Sequence, residues 1–505
     1  MTASDERFSR ASSAAEGAAT GGRTATIAPP PPEPAPSGPP AGATAPGGRD
    51  SSYASGARIL SIGIASTGIF TFLYLALASH VLDPASYSRI ALAWAIMYVI
   101  LSVIYRPIEQ LLSRTIADRR ARGLQAQTLK VPLLIQSGFA CLFLAVALAL
   151  RGQIEQGIFD GSSALYWILV VGVLAYAASY FARGWLAGHQ RFELYGGLVF
   201  LESTSRFLFA LAVAVGISSG QGAVGLGMAI APFASLCVIP FAFSRIRLSA
   251  PAGVPAADAS REGPAHGQLE EAATDLTLKR GASFAVCVVG IMFAEQTLMN
   301  AGVLIVAANS TGALLTAGLT GFVFNVLLIV RAPLQLFQAI QTSILPHLAG
   351  LEARESAAEF HRAIRVTVLV IAMFAGAVAL GLLVIGPPVM TALLGDKGYH
   401  YARLGLALVG LGMGLHLASG TLNQAALARG RARLASISWL CAAALFVAFV
   451  ATRTIPSEVT RVEVGYFGAT LVLCGLLCAV YRLGTAASGS GGQRRPTAAP
   501  VGRAG

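Results

Sequence analysis

VPLLIQSGFACLFLAVALAL, residues Val131–Leu150, runs for twenty positions without a charge, between Lys130 and Arg151. As a helix it is about 30 Å long, the thickness of a bilayer's hydrocarbon core. Apolar stretches of this length recur along the chain. Before it lie Ala57–Ser79 and Ser86–Tyr105, and after it Ala164–Leu186, Tyr195–Ile217 and Ala223–Phe243. A second set follows at Ala282–Ala307, Leu314–Ile344, Ile364–Val384, Leu404–Leu422, Leu434–Val450 and Val464–Tyr481. The reading is an all-α polytopic membrane protein of about twelve transmembrane helices. Its eighth stretch is overlong and predicts an interfacial extension at its end.

Composition agrees. Hydrophobic residues make up 55% of the 505, charged residues 12%, and the mean hydropathy is +0.66. A soluble domain carries roughly 25% charged residues, so this chain cannot present an ordinary aqueous surface. The net charge of +12 reports loops on the cytoplasmic side rather than nucleic acid, for which no aromatic-basic motif is present. With the N-terminus inside, the expected cytoplasmic loops hold 17 Lys and Arg, and the outer loops hold five: Arg151, Lys397, Arg403, Arg453 and Arg461. Both termini are therefore expected inside a plasma (inner) membrane. All six cysteines fall in apolar runs and imply neither disulfides nor a metal site.

The expected layout is a Pro/Ala/Gly-rich disordered tail over 1–56, a six-helix lobe over 57–243 and a cytoplasmic linker over 244–278. A second six-helix lobe covers 279–483, and a short disordered tail covers 484–505. No P-loop is present, so this chain does not hydrolyse ATP. The acids of the outer loops, Asp83, Glu155 and Asp160, form no catalytic cluster. The chain reads as a non-enzyme without cofactor.

One pattern repeats between the halves. Arg106-Pro107-Ile108-Glu109-Gln110-Leu111-Leu112-Ser113 closes the second stretch, and Arg331-Ala332-Pro333-Leu334-Gln335-Leu336-Phe337-Gln338 lies in the eighth. Spacings of four and three stack Arg106, Gln110 and Ser113 on one helix face, and likewise Arg331, Gln335 and Gln338. Each polar stripe faces either a watery cavity or the headgroups. Glu295, deep in the seventh stretch, is a candidate for proton or cation coupling or a structural partner of a neighbouring helix. Glu202 and Arg206 have the spacing of an intrahelical ion pair; the alternative offers Arg206 to an anionic substrate. Arg183 reads as a snorkelling anchor and His416 as a packing residue.

The segment His80-Val81-Leu82-Asp83-Pro84-Ala85-Ser86-Tyr87-Ser88-Arg89-Ile90-Ala91-Leu92 resembles the first outer turn of polysaccharide-unit flippases, with Ser88 in place of the usual Gly. Ile344-Leu345-Pro346-His347-Leu348, Gly386-Pro387-Pro388 and Leu393-Leu394-Gly395 before Tyr399 resemble the second half of that family. From about Arg58 to Tyr481 the chain thus resembles the polysaccharide and oligosaccharidyl-lipid flippases of the multidrug/oligosaccharidyl-lipid/polysaccharide exporter superfamily. The resemblance implies two six-helix lobes around a central cavity lined by the first, second, seventh and eighth helices, with rocking between inward- and outward-open states. It implies a polyprenyl-pyrophosphate-linked oligosaccharide as substrate, membrane lipids around it, and glycosyltransferases or a polymerase of the same pathway as partners. On that reading Arg106 and Arg331 meet the pyrophosphate, Arg206 is a further substrate-binding candidate, Gln110, Gln335 and Gln338 meet the sugars, and Glu295 couples an ion. Two alternatives stand beside it: a cation-coupled multidrug-type exporter, and a non-transporting scaffold of cell-envelope synthesis.

Overall fold

The computed structural model describes residues 47–121, 129–240, 264–309, 318–334, 337, 357–396 and 398–490. The expected tail before Gly47 and the repeat residues Gln335 and Gln338 lie outside the described residues, as does the segment Ile344–Leu348. From Ser52 onward the chain forms one compact unit. Every described element is helical. In order they are α1 (Gly47–Val81), α2 (Pro84–Ile100), a π-helical turn (Leu101–Tyr105), α3 (Arg106–Ala121), α4 (Lys130–Ala149), α5 (Arg151–Gly157), α6 (Ser163–Gly188), α7 (Phe192–Ala214) and α8 (Gly220–Leu236). The second half holds α9 (Pro264–Asn309), α10 (Leu319–Leu334), α11 (Ala357–Leu394), α12 (Arg403–Ala428), α13 (Ala432–Ala451) and α14 (Glu458–Ser490).

Ten segments are long and apolar enough to cross a membrane, and Gly220–Leu236 and Leu319–Leu334 are shorter apolar helices. Together these fall on the twelve stretches read from the sequence, in a multi-pass membrane protein. Several boundaries differ. Helix α9 begins at Pro264, inside the segment read as linker, and α14 continues past the expected end of its lobe to Ser490. The expected cytoplasmic helix at Ala358–Arg365 and the ninth stretch are one helix, α11, which carries Pro387 and Pro388 within it. The second span does not stop at Tyr105 but runs from Pro84 to Ile116. Its π turn has a local cause. Pro107 lacks an N–H and its ring crowds the carbonyl four residues back, and a wider turn accommodates both. The amide of Arg106 then bonds to Leu101 O, five residues back.

Each half packs largely upon itself, and α9 meets α2, the π turn and α3 across the divide. Close approach needs glycine at Gly184, where an added Cβ would sit 2.8 Å from the Glu109 carbonyl oxygen. This lets α6 lie directly on α3. At the Asp83 end, buried hydrogen bonds tie the halves together. Tyr87 donates to Asn325 Oδ1, Ser79 donates to the Leu394 carbonyl, and Asn325 Nδ2 donates to Ser79 Oγ at 3.2 Å and to Leu394 O at 3.2 Å. Two of the outer-loop acids pair with arginines, Asp160 with Arg89 at 3.1 Å and Glu155 with Arg151 at 3.1 Å. None of the six cysteines is buried: Cys141, Cys237 and Cys441 are exposed on helices whose outer surface is apolar.

Candidate functional site: an arginine-lined cavity between the halves

A cavity of about 530 Å³ lies between the two halves. Helices α1 to α3 contribute Thr71, Trp94, Tyr98, Arg106, Glu109 and Gln110; α6 and α7 contribute Tyr176, Tyr180, Arg183, Tyr195 and Glu202. From the second half come Glu295 and Gln296 on α9, Arg331 on α10 and Gln424 on α12. The structure therefore brings Arg106, Gln110, Glu295 and Arg331 to one cavity, from both halves of the chain. The contribution of α6 and α7 was not expected, since the resemblance assigned the lining to the first, second, seventh and eighth spans.

The four arginines differ in what holds them. Arg183 forms an ion pair with Glu202 Oε2, and Arg206 Nη2 donates to Glu202 Oε1 at 3.2 Å. One carboxylate thus bridges two guanidiniums. Arg206 also donates to Tyr98 Oη at 2.9 Å and Tyr176 Oη at 2.8 Å, and lies 4.9 Å from the centre of the Trp94 ring. It is 1% exposed and sits behind the cavity wall, so of its two readings the ion pair describes the geometry. Arg183 is no snorkelling anchor: it is buried, paired, and stacked over Tyr180 at 4.6 Å. A charge this deep is retained only with such partners.

Arg331 has no carboxylate partner among the described residues. Its Nη2 donates to Met299 O at 3.0 Å and Asn300 Oδ1 at 2.7 Å, it packs over Phe324 at 4.6 Å, and its Nε is left without an acceptor. Arg106 makes no direct hydrogen bond or ion pair among the described residues, and Glu295 lines the same cavity from the other half. Glu109 accepts from Tyr195 Oη at 2.6 Å. The lining thus carries three arginines and three glutamates. Glu202 is shared between two arginines and Glu109 is bonded to a tyrosine, which leaves Arg106 and Arg331, one from each half, with donors to spare. Guanidiniums in this state suit a phosphate or carboxylate.

The tyrosines and tryptophan of the wall went unread in the sequence, because they are spaced as ordinary core positions on α2, α6 and α7. The polar signal that could have flagged α6 was Arg183 itself. His416 is buried and its Nδ1 lies 2.9 Å from Tyr466 Oη, beside Trp439, as a packing residue would be.

No family model matches this chain, and no curated protein matches it. Solved structures do. A multidrug-resistance MATE family transporter of the MOP superfamily in its outward-facing conformation is 14% identical, with a TM-score of 0.58 over 86% of this chain and 96% of that one. The Vibrio cholerae MATE transporter VcmN in its bent form is 13% identical, with a TM-score of 0.55 over 87% and 98%. A MOP superfamily transporter from Pyrococcus furiosus, described by the reverse polarity of its binding pocket, is 12% identical, with a TM-score of 0.55 over 86% and 96%. The chain has the fold of these MATE transporters, twelve helices in two lobes.

Proposed function

We propose that this protein is a membrane exporter that moves a polyprenyl-pyrophosphate-linked oligosaccharide across the cytoplasmic membrane by alternating access. The observation that carries the reading is the pair of arginines without a carboxylate partner among the described residues, Arg106 and Arg331, facing one cavity from opposite halves with donors to spare. A pyrophosphate would bridge them and so register both lobes at once. Gln110, exposed in the same cavity, is a donor and acceptor for sugar hydroxyls, and Gln335 and Gln338 continue that role by their spacing. Glu295 faces the same cavity as Arg106 from the other half, so an anion that takes that arginine would change the charge beside Glu295, which supplies a route for coupling an ion. The fold supports transport rather than enzymatic chemistry, and the hydrogen bonds at the Asp83 end, outside by the loop charges, support a state open to the cytoplasm.

A multidrug-type exporter of cations is the second reading. Trp94, Tyr98, Tyr176 and Tyr180 in the wall favour it, since aromatic faces attract cations. Proteoliposomes loaded with a fluorescent polyprenyl-pyrophosphate oligosaccharide separate the two. Flipping that falls by about a hundredfold in the Arg106→Ala, Arg331→Ala double variant supports the flippase. Unchanged flipping in the double variant, or export of a cationic dye that depends on Glu295 while the lipid stays in place, overturns it.

A further inference from the structure

Glu109 follows Arg106 by three positions on α3, a spacing that puts both side chains on one helix face and permits an ion pair. Both line the central cavity, where reduced solvation strengthens such a pair. The pair does not form. Glu109 Oε1 instead accepts from Tyr195 Oη on α7 at 2.6 Å, the length of a hydroxyl bonded to a carboxylate. The other two glutamates of the lining do not take its place. Glu202 is engaged with Arg183 and Arg206, and Glu295 makes no ion pair with Arg106.

Tyr195 has little freedom to move aside. Its neighbour Gly196 is crossed by Gly63 of α1, where a Cβ added to Gly63 would sit 2.8 Å from Gly196 Cα. Its ring packs against the buried cluster of Ala182, Leu186, Leu198, Val199 and Val238. The backbone of Glu109 is held in turn by its contact with Gly184. Helix packing therefore sets both ends of the bond between Tyr195 and Glu109.

We propose that Tyr195 is a positioning residue, whose hydroxyl holds Glu109 off Arg106 and so keeps that guanidinium open to an anionic ligand. Without the hydroxyl, Glu109 finds its nearest donor on its own helix one turn back, and the closed pair competes with the ligand. The inference rests on the exporter reading for what the anion is, but the state of Arg106 is measurable without substrate.

Phenylglyoxal, which adds to unpaired guanidinium groups, reads that state in the full-length protein in nanodiscs, with each modified arginine located by mass spectrometry. In the unaltered protein Arg106 reacts faster than the paired Arg183. In Tyr195→Phe, which keeps the ring and its packing, the rate at Arg106 falls about fivefold. Adding Glu109→Gln to Tyr195→Phe restores the rate, since a neutral amide forms no ion pair. A loss of packing alone would not be repaired by that second change, so the rescue separates positioning from structure. The inference is overturned if Arg106 reacts no faster than Arg183 in the unaltered protein. It is equally overturned if its rate is unchanged in Tyr195→Phe or stays low in the double variant. Lipid flipping that survives loss of Arg106 and Arg331, with the modification pattern intact, removes the exporter reading and leaves Tyr195 in its role.

Discussion

Ser88 on α2 accepts the backbone N–H of Gly321 on α10 at 3.0 Å, joining residues 233 positions apart from the two halves of the chain. Gly321 is in the first turn of its helix, where amides have no partner within the helix. The serine therefore caps α10 from outside, and it stands where the resembling flippases usually have glycine. Ser88→Ala leaves that amide buried and unpaired at about 1–2 kcal/mol, while Tyr87 and Asn325 keep their bond. The expected result is a shift of roughly tenfold toward states open at the Asp83 end. Spin labels at positions 85 and 400, in a chain without its six native cysteines, read it as a longer distance. An unchanged distance distribution would remove this contact from any gating role.

The contact of α3 with α6 rests on Gly184. Gly184→Ala places a methyl 2.8 Å from the carbonyl oxygen of Glu109, and backbone cannot swing aside as a flexible side-chain tip can. A loss of about 1–3 kcal/mol is expected, read as a lower midpoint of thermal unfolding in detergent. Since Glu109 and Arg183 flank this point, substrate affinity should fall alongside stability.

Asp83 caps α2, its Oδ1 accepting from Ala85 N at 3.1 Å and Ser86 N at 3.0 Å. Partial burial pushes its carboxyl upward, but bonds from the Ser86 side chain and the Ser86 and Ala85 amides, with Arg89 nearby, outweigh this. The net displacement is below the usual carboxylate range. A lowered value means the stabilisation is complete above the ordinary pKa of about 3.9 and is lost as pH falls through the lowered one. Asp83→Asn should keep the cap and flatten this loss below about pH 4. Asp83→Ala should cost about 1 kcal/mol at neutral pH. Unfolding midpoints between acid and neutral pH compare the three proteins.

The spans were legible because a bilayer imposes a length and an apolar composition that a single stretch such as Val131–Leu150 already displays. Arg106 and Arg331 were legible for the converse reason: a guanidinium inside such a stretch needs a polar destination, and matching neighbours in the two halves suggested a shared one. Arg183 was misread because its explanation is tertiary. Glu202 sits on the next helix, and no periodicity links positions 183 and 202. The joining of α2 to α3 through a π turn was likewise hidden, since the arginine and proline that resemble a helix end are accommodated inside the helix. At Ser88 the departure from the family pattern was visible, but not its partner Gly321, which lies in the other half.

Arg206 and Arg331 should fail in different ways when removed. Arg206 shares Glu202 with Arg183 and is almost wholly enclosed. Arg206→Ala breaks a buried network, and the loss of one member of such a network costs about 3–5 kcal/mol. Arg331→Ala removes bonds to two neutral acceptors at the cavity edge, worth about 1–3 kcal/mol together. Thermal unfolding should therefore separate the variants, with Arg206→Ala the less stable. Transport should reverse the order per folded molecule, since Arg331 has donors available for a ligand and Arg206 has spent most of its own. Replacing Arg183, Glu202 and Arg206 together by Met, Leu and Met should recover much of the stability, because exchanging a whole buried ion cluster for apolar groups is often neutral or better. If that triple variant were less stable than Arg206→Ala alone, the cluster would be stabilising in its own right rather than merely costly to break.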